Sequence, residues 1–333
     1  MKRRLLITIL VLSFIALPVM AACTKPAPKP EPVILSAVTF TPPEISKTDD
    51  FKIFMSVVEE LSGGELVIDL IGGPEVFPTN NQGEAAQKGA VDMFWTYYAA
   101  YISLVPGLPF VDLISELTFE EEREVGYWDL AREYHAKGGL YFLGKVVEPA
   151  PLGRYYTIAN KRMASPTDFD GAKIAIEWVF IDFFESLGAS TVGIPDEERY
   201  TALERGVVDG IFVSIDEVVP FGYHEVAKYL IDGAFGTGDI NVTLNLDKWN
   251  SLSERHQNIL TQAIIDTEPL THENYKKTLE THGKLLADAG VEWVKFSPED
   301  QGWWRERFLD AEWTNIIENN PEIGPKLKEM LTR

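Results

Sequence analysis

Apolar residues follow two different periods along the first third of the chain, and their succession predicts a strand–helix–strand layout. Ile34 to Phe40 is β-branched and aromatic, the composition of a strand. From Thr48 to Leu61 the apolar positions recur at helical spacing (Phe51, Ile53, Phe54, Val57, Val58, Leu61), and Ser62-Gly63-Gly64 ends that helix. Glu65 to Ile71 reads as a second strand, Asn81 to Lys88 as a second helix and Val91 to Trp95 as a third strand. Short turns between such elements imply a mostly parallel sheet.

The pattern continues with a helix over Glu120 to Lys137, whose glutamates fall in the first turns, suit the macrodipole and are expected on a solvated face. Leu140 to Asn160 reads as extended and is expected to cross between lobes. A second α/β unit opens at Ser165-Pro166-Thr167-Asp168, which has an N-cap, a proline at the first helical position and an acid in the first turn. Strands are predicted over Ala172–Glu177 and Val207–Val213, with helices over Val179–Leu187 and Asp196–Arg205 between them. From Asn241 the character changes: Asn241 to Leu246 reads as extended, and helices dominate after it. One or two long helices cover Ser251 to Ala289, a short strand covers Val291 to Phe296, and two amphipathic helices carry Trp303, Trp304 and Trp313, which are expected to pack.

Two short segments share one template. Residues 85–93 read AAQKGAVDM and residues 202–210 read ALERGVVDG. In each, a helix is predicted to end at a glycine (Gly89, Gly206) able to take the left-handed conformation. The chain then enters a buried strand through Val91 or Val208, with Asp92 or Asp209 early in that strand as a structural residue. One αβ unit at the same place in each half predicts two similar lobes, the architecture of a ligand-closing clamp.

The chain has 333 residues and a formal net charge of −21. That acidity repels phosphate backbones, so no nucleic-acid partner is expected. The N-terminus reads as a leader: Lys2, Arg3 and Arg4 precede an apolar run from Leu5 to Val19 that is short for a bilayer span. Met20-Ala21-Ala22-Cys23 then resembles a bacterial lipobox, in which the single cysteine would be acylated. Residues 24–33, TKPAPKPEPV, have the composition of an extended tether, and more than one acyl chain gives stable anchoring. The alternative is an ordinary A-x-A-like cleavage site that happens to precede a cysteine. Loss of Lys2, Arg3 and Arg4 with the leader takes the formal charge from −21 to −24.

Catalytic constellations are missing from the sequence. It holds no GxSxG, GxxxxGK or HExxH pattern. Its histidines (His135, His224, His256, His272, His282) are scattered and expected mostly on helical surface. With Cys23 at the mature terminus no thiol nucleophile remains. Neither an enzyme nor a cofactor or metal site is expected.

Residues 160–210, NKRMASPTDFDGAKIAIEWVFIDFFESLGASTVGIPDEERYTALERGVVDG, resemble the solute receptors of tripartite ATP-independent periplasmic (TRAP) transporters. The resemblance rests on Pro166, Asp168, Gly171, Lys173, Gly188-Ala189, Glu198, Tyr200, Ala202-Leu203, Gly206, Val208, Asp209 and Gly210. It extends to Gly72-Gly73, Val91-Asp92-Met93 and Trp249-Asn250-Ser251-Leu252, so it covers essentially residues 33–300. It implies an α/β, two-lobe periplasmic-binding-protein-like clamp, each lobe a mostly parallel sheet flanked by helices. Such a clamp would close over a small solute, held outside the cytoplasm, for a membrane permease. Implied boundaries are 1–22 leader, 23–32 tether, 33–153 first lobe, 154–240 second lobe and 241–333 a helical region bridging both and completing the first.

The same resemblance implies an arginine in the strand after Gly-x-Lys for binding a carboxylate, and here that position holds Ala175. Val213 stands where the family has an asparagine, and Asp196 near where it has an aromatic residue. Loss of one side of a bidentate carboxylate pair costs about 2–5 kcal/mol. Two readings follow. Arg154 takes over the carboxylate of an organic acid, which is the favoured reading; or the pocket is rebuilt around Glu177, Asp196 or Asp216 for a neutral or cationic solute. Trp95, Tyr97, Tyr98, Trp178 and Phe212 are candidate stacking residues. A sensory receptor of the same fold is a further alternative.

Overall fold

A computed structural model of the chain describes residues 31–146, 155–176, 180–194, 196–235 and 240–333, without the side chains of Asp196, Glu197, Asp216, Ala234 and Phe235. The leader, Cys23 and nearly all of the tether lie outside the described residues. Residues 32–333 form one unit, built on two sheets.

The first lobe contains β1 (Val33–Thr39), α1 (Asp49–Ser62), β2 (Leu66–Gly72), α2 (Thr79–Gln87), β3 (Met93–Tyr97), α3 (Phe119–Glu124), α4 (Tyr127–Lys137) and β4 (Leu140–Lys145). The chain then enters the second lobe: β5 (Tyr155–Ala159), β6 (Lys173–Ala175), α5 (Ile181–Ser186), β7 (Ser190–Val192), α6 (Asp196–Glu204), β8 (Gly210–Ser214), α7 (Ile215–Val218), α8 (Tyr223–Val226) and β9 (Tyr229–Phe235). It returns to the first sheet with β10 (Ile240–Asn245) and continues through α9 (Leu246–Ser251) into α10 (Glu254–Asp288). The chain finishes with β11 (Glu292–Lys295), α11 (Pro298–Asn319) and α12 (Gly324–Leu331).

The five-stranded sheet runs β2-β1-β3-β10-β4 and the six-stranded sheet β11-β9-β5-β8-β6-β7. Read from the β7 end, the second repeats the order of the first, with β11 added at its edge. In each sheet a single strand is reversed: β10 is antiparallel to β3 and β4, and β5 is antiparallel to β8 and β9. Both reversed strands are the ones that arrive from the other lobe. The mostly parallel sheets expected from short αβ turns are therefore present, each with one antiparallel strand contributed by a crossover.

The repeated segment is a hydrogen-bonded module. Gly89 and Gly206 adopt φ of 73° and 68°. The next residue closes back on its helix, Ala90 N to Ala85 O and Val207 N to Ala202 O, both at 2.9 Å. Asp92 Oδ2 accepts from Ser36 N at 2.9 Å, and Asp209 Oδ2 accepts from Lys173 N at 2.8 Å. Each Asp N–H returns a bond to the carbonyl of that same neighbour (Ser36 or Lys173), and each Asp carbonyl accepts from the N–H of an asparagine, Asn245 or Asn160. The Asn245 and Asn160 amides in turn donate to Ala86 O at 2.8 Å and Leu203 O at 3.0 Å. Val91 and Val208 are buried, but they and the aspartates precede β3 and β8 and lie in the turn. The reason is that the carboxylate bonds to the neighbouring strand's backbone before that ladder starts. Their structural role stands.

Several other expectations are corrected. Gly126, at φ 81°, divides the predicted helix into α3 and α4. Glu122 is buried against Lys145, because Lys145 lies inside the lobe and needs counter-charges. His135 and His282 are buried, and the other three histidines are half-buried. Trp304 and Trp313 are buried, whereas Trp303 is 47% exposed. The long helix α10 is continuous through Pro269.

Candidate functional site

In α/β sheets a ligand site forms beyond the carboxyl ends of parallel strands, where the strand order switches. In the first lobe β1 leads into Phe40, Thr41 and the short 3₁₀ turn Ser46–Thr48, and β3 ends at Tyr97. Thr48 Oγ1 donates to Pro42 O at 2.9 Å and lies 2.8 Å from Thr41 Oγ1, which fixes the turn. Phe40 packs on Trp95 and edge-on to Tyr97, with centroids 5.0 and 5.6 Å apart. In the second lobe the corresponding ends are Ala175 to Ile176 on β6 and Phe212 to Ser214 on β8, continuing into α7.

These two edges meet. Lys47, from the turn after β1, forms an ion pair with Glu217, from α7 after β8. Lys47 is 8% exposed and its ammonium lies 5.4 Å from the centre of the Phe40 ring. The spacing signal did not single out Lys47, Glu217, Phe40, Tyr155 or Phe180. The first two are isolated charges in an acidic sequence, and only the pairing of the lobes brings them together.

The candidates named from sequence fall into three groups. Arg154, Glu177 and Trp178 lie outside the described residues, and of Asp196 and Asp216 only the backbone is described, in α6 and α7. Trp95 and Tyr98 are buried in the first lobe. Trp95 Nε1 donates to Val146 O and Tyr98 Oη to Leu108 O, both at 2.9 Å, while Tyr97 is half-buried beside Phe40. Ala175 and Val213 share one apolar cluster with Tyr156, Ile158, Ile211 and Ile215. Phe212 points to the other face of its sheet. There it stacks on Tyr155 at 5.7 Å and meets Phe180 and Phe184 edge-on, each at 4.9 Å.

Behind the first lobe's edge lies a buried charge cluster. Lys145, at the end of β4, is bonded to Asp112 and Glu122, each at 2.9 Å. Burial alone would lower the lysine pKa; the two carboxylates outweigh it and hold Lys145 above its ordinary value. Tyr127 Oη donates to Asp112 and Trp128 Nε1 to Glu122. Nearby, His135 Nε2 lies 3.1 Å from Tyr101 Oη, and burial lowers its pKa to about 4. These groups support the strands that cross between lobes: β10 pairs with β4, Asn241 opposite Lys145. Among the described residues, no three His, Cys, Asp or Glu side chains converge to hold a metal ion.

The profile of bacterial extracellular solute-binding proteins, family 7, matches residues 37–319. The ectoine-binding periplasmic protein TeaA of Halomonas elongata is 25% identical, over 70% of this chain and 64% of that one. The C4-dicarboxylate-binding periplasmic protein DctP of Rhodobacter capsulatus is 24% identical, over 83% of this chain and 84% of its own length. Among solved structures, a TRAP periplasmic solute-binding protein from Desulfovibrio salexigens with bound orotic acid superposes with a TM-score of 0.74. It is 20% identical, covering 90% of this chain and 97% of that one, which establishes the shared fold.

Proposed function

The chain belongs to the bacterial extracellular solute-binding proteins, family 7, and from that premise we propose that it captures a small organic acid between its two lobes for a TRAP-type membrane permease. The observation that carries the reading is the meeting of the two strand-end edges through Lys47 and Glu217. A solute there would be enclosed from both sides. The relatives that bind C4-dicarboxylates and orotic acid support an acid. The working boundaries are 33–153 and 154–240 for the lobes, with 241–333 bridging them and residues 1–22 a leader. Cys23 is the proposed lipid attachment point, and Thr24 to Pro32 the tether that would hold the clamp off the membrane. The protein acts as a carrier, with no catalytic step.

With Ala175 and Val213 apolar, the carboxylate contact is assigned to Arg154. A thermal-shift panel of malonate, succinate, L-malate and orotate, repeated on Arg154→Ala, tests this. The expected result is that one or more acids raise the melting temperature of the wild type and none raises that of the variant. Loss of one partner of such a contact weakens binding about thirty-fold or more. An unchanged shift in the variant removes Arg154 from the site.

A second reading has its own support. The apolar burial of Ala175 and Val213 and the ectoine-binding relative favour a neutral or cationic solute held by Glu177, Asp196 or Asp216. If only amines or polyols raise the melting temperature, this reading replaces the acid. Scattering that shows no compaction with a saturating ligand would overturn the clamp itself.

A further inference from the structure

The segment presenting Lys47 and the helix presenting Glu217 are also fastened to a common support. Asn274 of α10 donates to Asp50 Oδ1 at 2.7 Å, three residues from Lys47, and His282 Nδ1 lies 3.2 Å from Ile215 O in α7. One continuous helix therefore holds the base of both partners, and the ion pair joins their free ends across the cleft. Resting on the clamp reading, we propose that Lys47 and Glu217 are a latch. They are positioning residues that set how firmly the lobes close, acting on lobe geometry and not by contact with the solute. Three features favour this role. The turn carrying Lys47 is fixed by the Thr41–Thr48–Pro42 bonds, so the ammonium is delivered to one place. The side chains are 6% and 22% exposed, which leaves their attraction weakly screened compared with a surface pair. And the two charges belong to different lobes, so opening the cleft must separate them.

The test places spin labels at Lys88→Cys and Arg205→Cys in a Cys23→Ser background. These exposed positions occupy equivalent places in the repeated module of the two lobes. Pulsed dipolar spectroscopy without solute then reads the distance between lobes in the wild type, Lys47→Met, Glu217→Gln and the exchanged pair Lys47→Glu with Glu217→Lys. Each single variant is expected to raise the long-distance population about ten-fold or more, and the exchange to return it towards wild type. Single variants with the wild-type distribution overturn the latch, as does an exchange that leaves the lobes as open as the singles. If the four-acid panel moves the wild-type distance while the single variants do not, the latch fails and the clamp survives. If neither acids nor variants move it, both fail. The exchange also guards against a folding defect, because a merely misfolded single variant would not be rescued by reversing both charges.

Discussion

The two lobes share one strand order but differ in that only the first, among the described residues, buries a lysine with its counter-charges behind the strand ends. Behind the strand ends of the first lobe lie two buried polar groups, Lys145 with Asp112 and Glu122, and His135 with Tyr101. Behind those of the second lie Tyr155, Phe180, Phe184, Phe212 and Trp304, a set of packed rings. The module at the amino ends of the strands is the same in both. Aspartate, asparagine and left-handed glycine therefore fix the sheet, while the filling beyond them is free to differ. A charge network is directional and intolerant of loss, whereas an aromatic cluster tolerates change in proportion to volume.

The largest test of that contrast is Lys145→Met. Removing the cation leaves Asp112 and Glu122 buried without their counter-charge, and a loss of about 3–5 kcal/mol in unfolding free energy is expected from urea titration. Replacing all three charges with apolar residues of similar volume should recover most of it. In the second lobe Phe212→Ala should cost about 3–5 kcal/mol by leaving a cavity, with no single partner change able to recover it. If the apolar triple is as unstable as Lys145→Met, the network contributes more than mutual charge compensation.

Acid should reveal the next difference. His135 is held neutral in the folded lobe, with burial lowering its pKa to about 4 against an ordinary 6.5. The unfolded chain then binds the proton first, so stability falls as pH drops from about 6.5 through 4, by about 3 kcal/mol in all. His135→Gln should flatten that limb of a stability–pH curve. Glu312, on α11, has the opposite sign. Burial and then Asp182 raise its pKa to about 8, so the folded state keeps a proton that the unfolded chain releases. Its contribution is full below the usual carboxylate pKa and is lost as pH rises towards 8. Glu312→Gln should remove the decline between the usual carboxylate pKa and about 8, and steepen the acid limb where that window overlaps the one of His135.

The shared module predicts smaller, paired effects. Asp92 accepts from both Ser36 N and Ser36 Oγ and also meets Lys248 at 3.3 Å, while Asp209 takes the Lys173 backbone bond. Asp92→Ala is therefore expected to cost about 2–3 kcal/mol and Asp209→Ala about 1–2 kcal/mol, measured by thermal unfolding. Equal losses would mean that the Ser36 hydroxyl and Lys248 add nothing.

Local rules made most of the fold legible. Helical spacing placed α1, glycines placed the ends of α2 and α6, and the repeated AxxxGxVD template announced two lobes before either sheet was known. What failed was decided by distant partners. Glu122 sits in a run of glutamates that reads as solvent-facing, and only Lys145, 23 residues on, draws it inside. Strand direction was also hidden: β5 and β10 look like any extended segment, and their reversal follows from which lobe the chain has just left. Ala175 reads as a departure from the pattern that the sequence resemblance implies, and the structure buries it in an apolar cluster. Lys47 and Glu217, 170 residues apart, carry no local signal.

The gentlest prediction tests the equivalence of the lobes most directly. Gly89 and Gly206 have left-handed backbones and open space where a Cβ would lie, with no heavy atom within 4 Å. Alanine at either site therefore meets only the intrinsic backbone penalty of about 1 kcal/mol. The two losses should agree within about 0.5 kcal/mol and add in the double variant, since the sites belong to separate sheets. Unequal costs would show that one turn bears load from its surroundings that its twin does not. A sub-additive double variant would show that the two lobes unfold as separate units, the first to fail setting the measured stability.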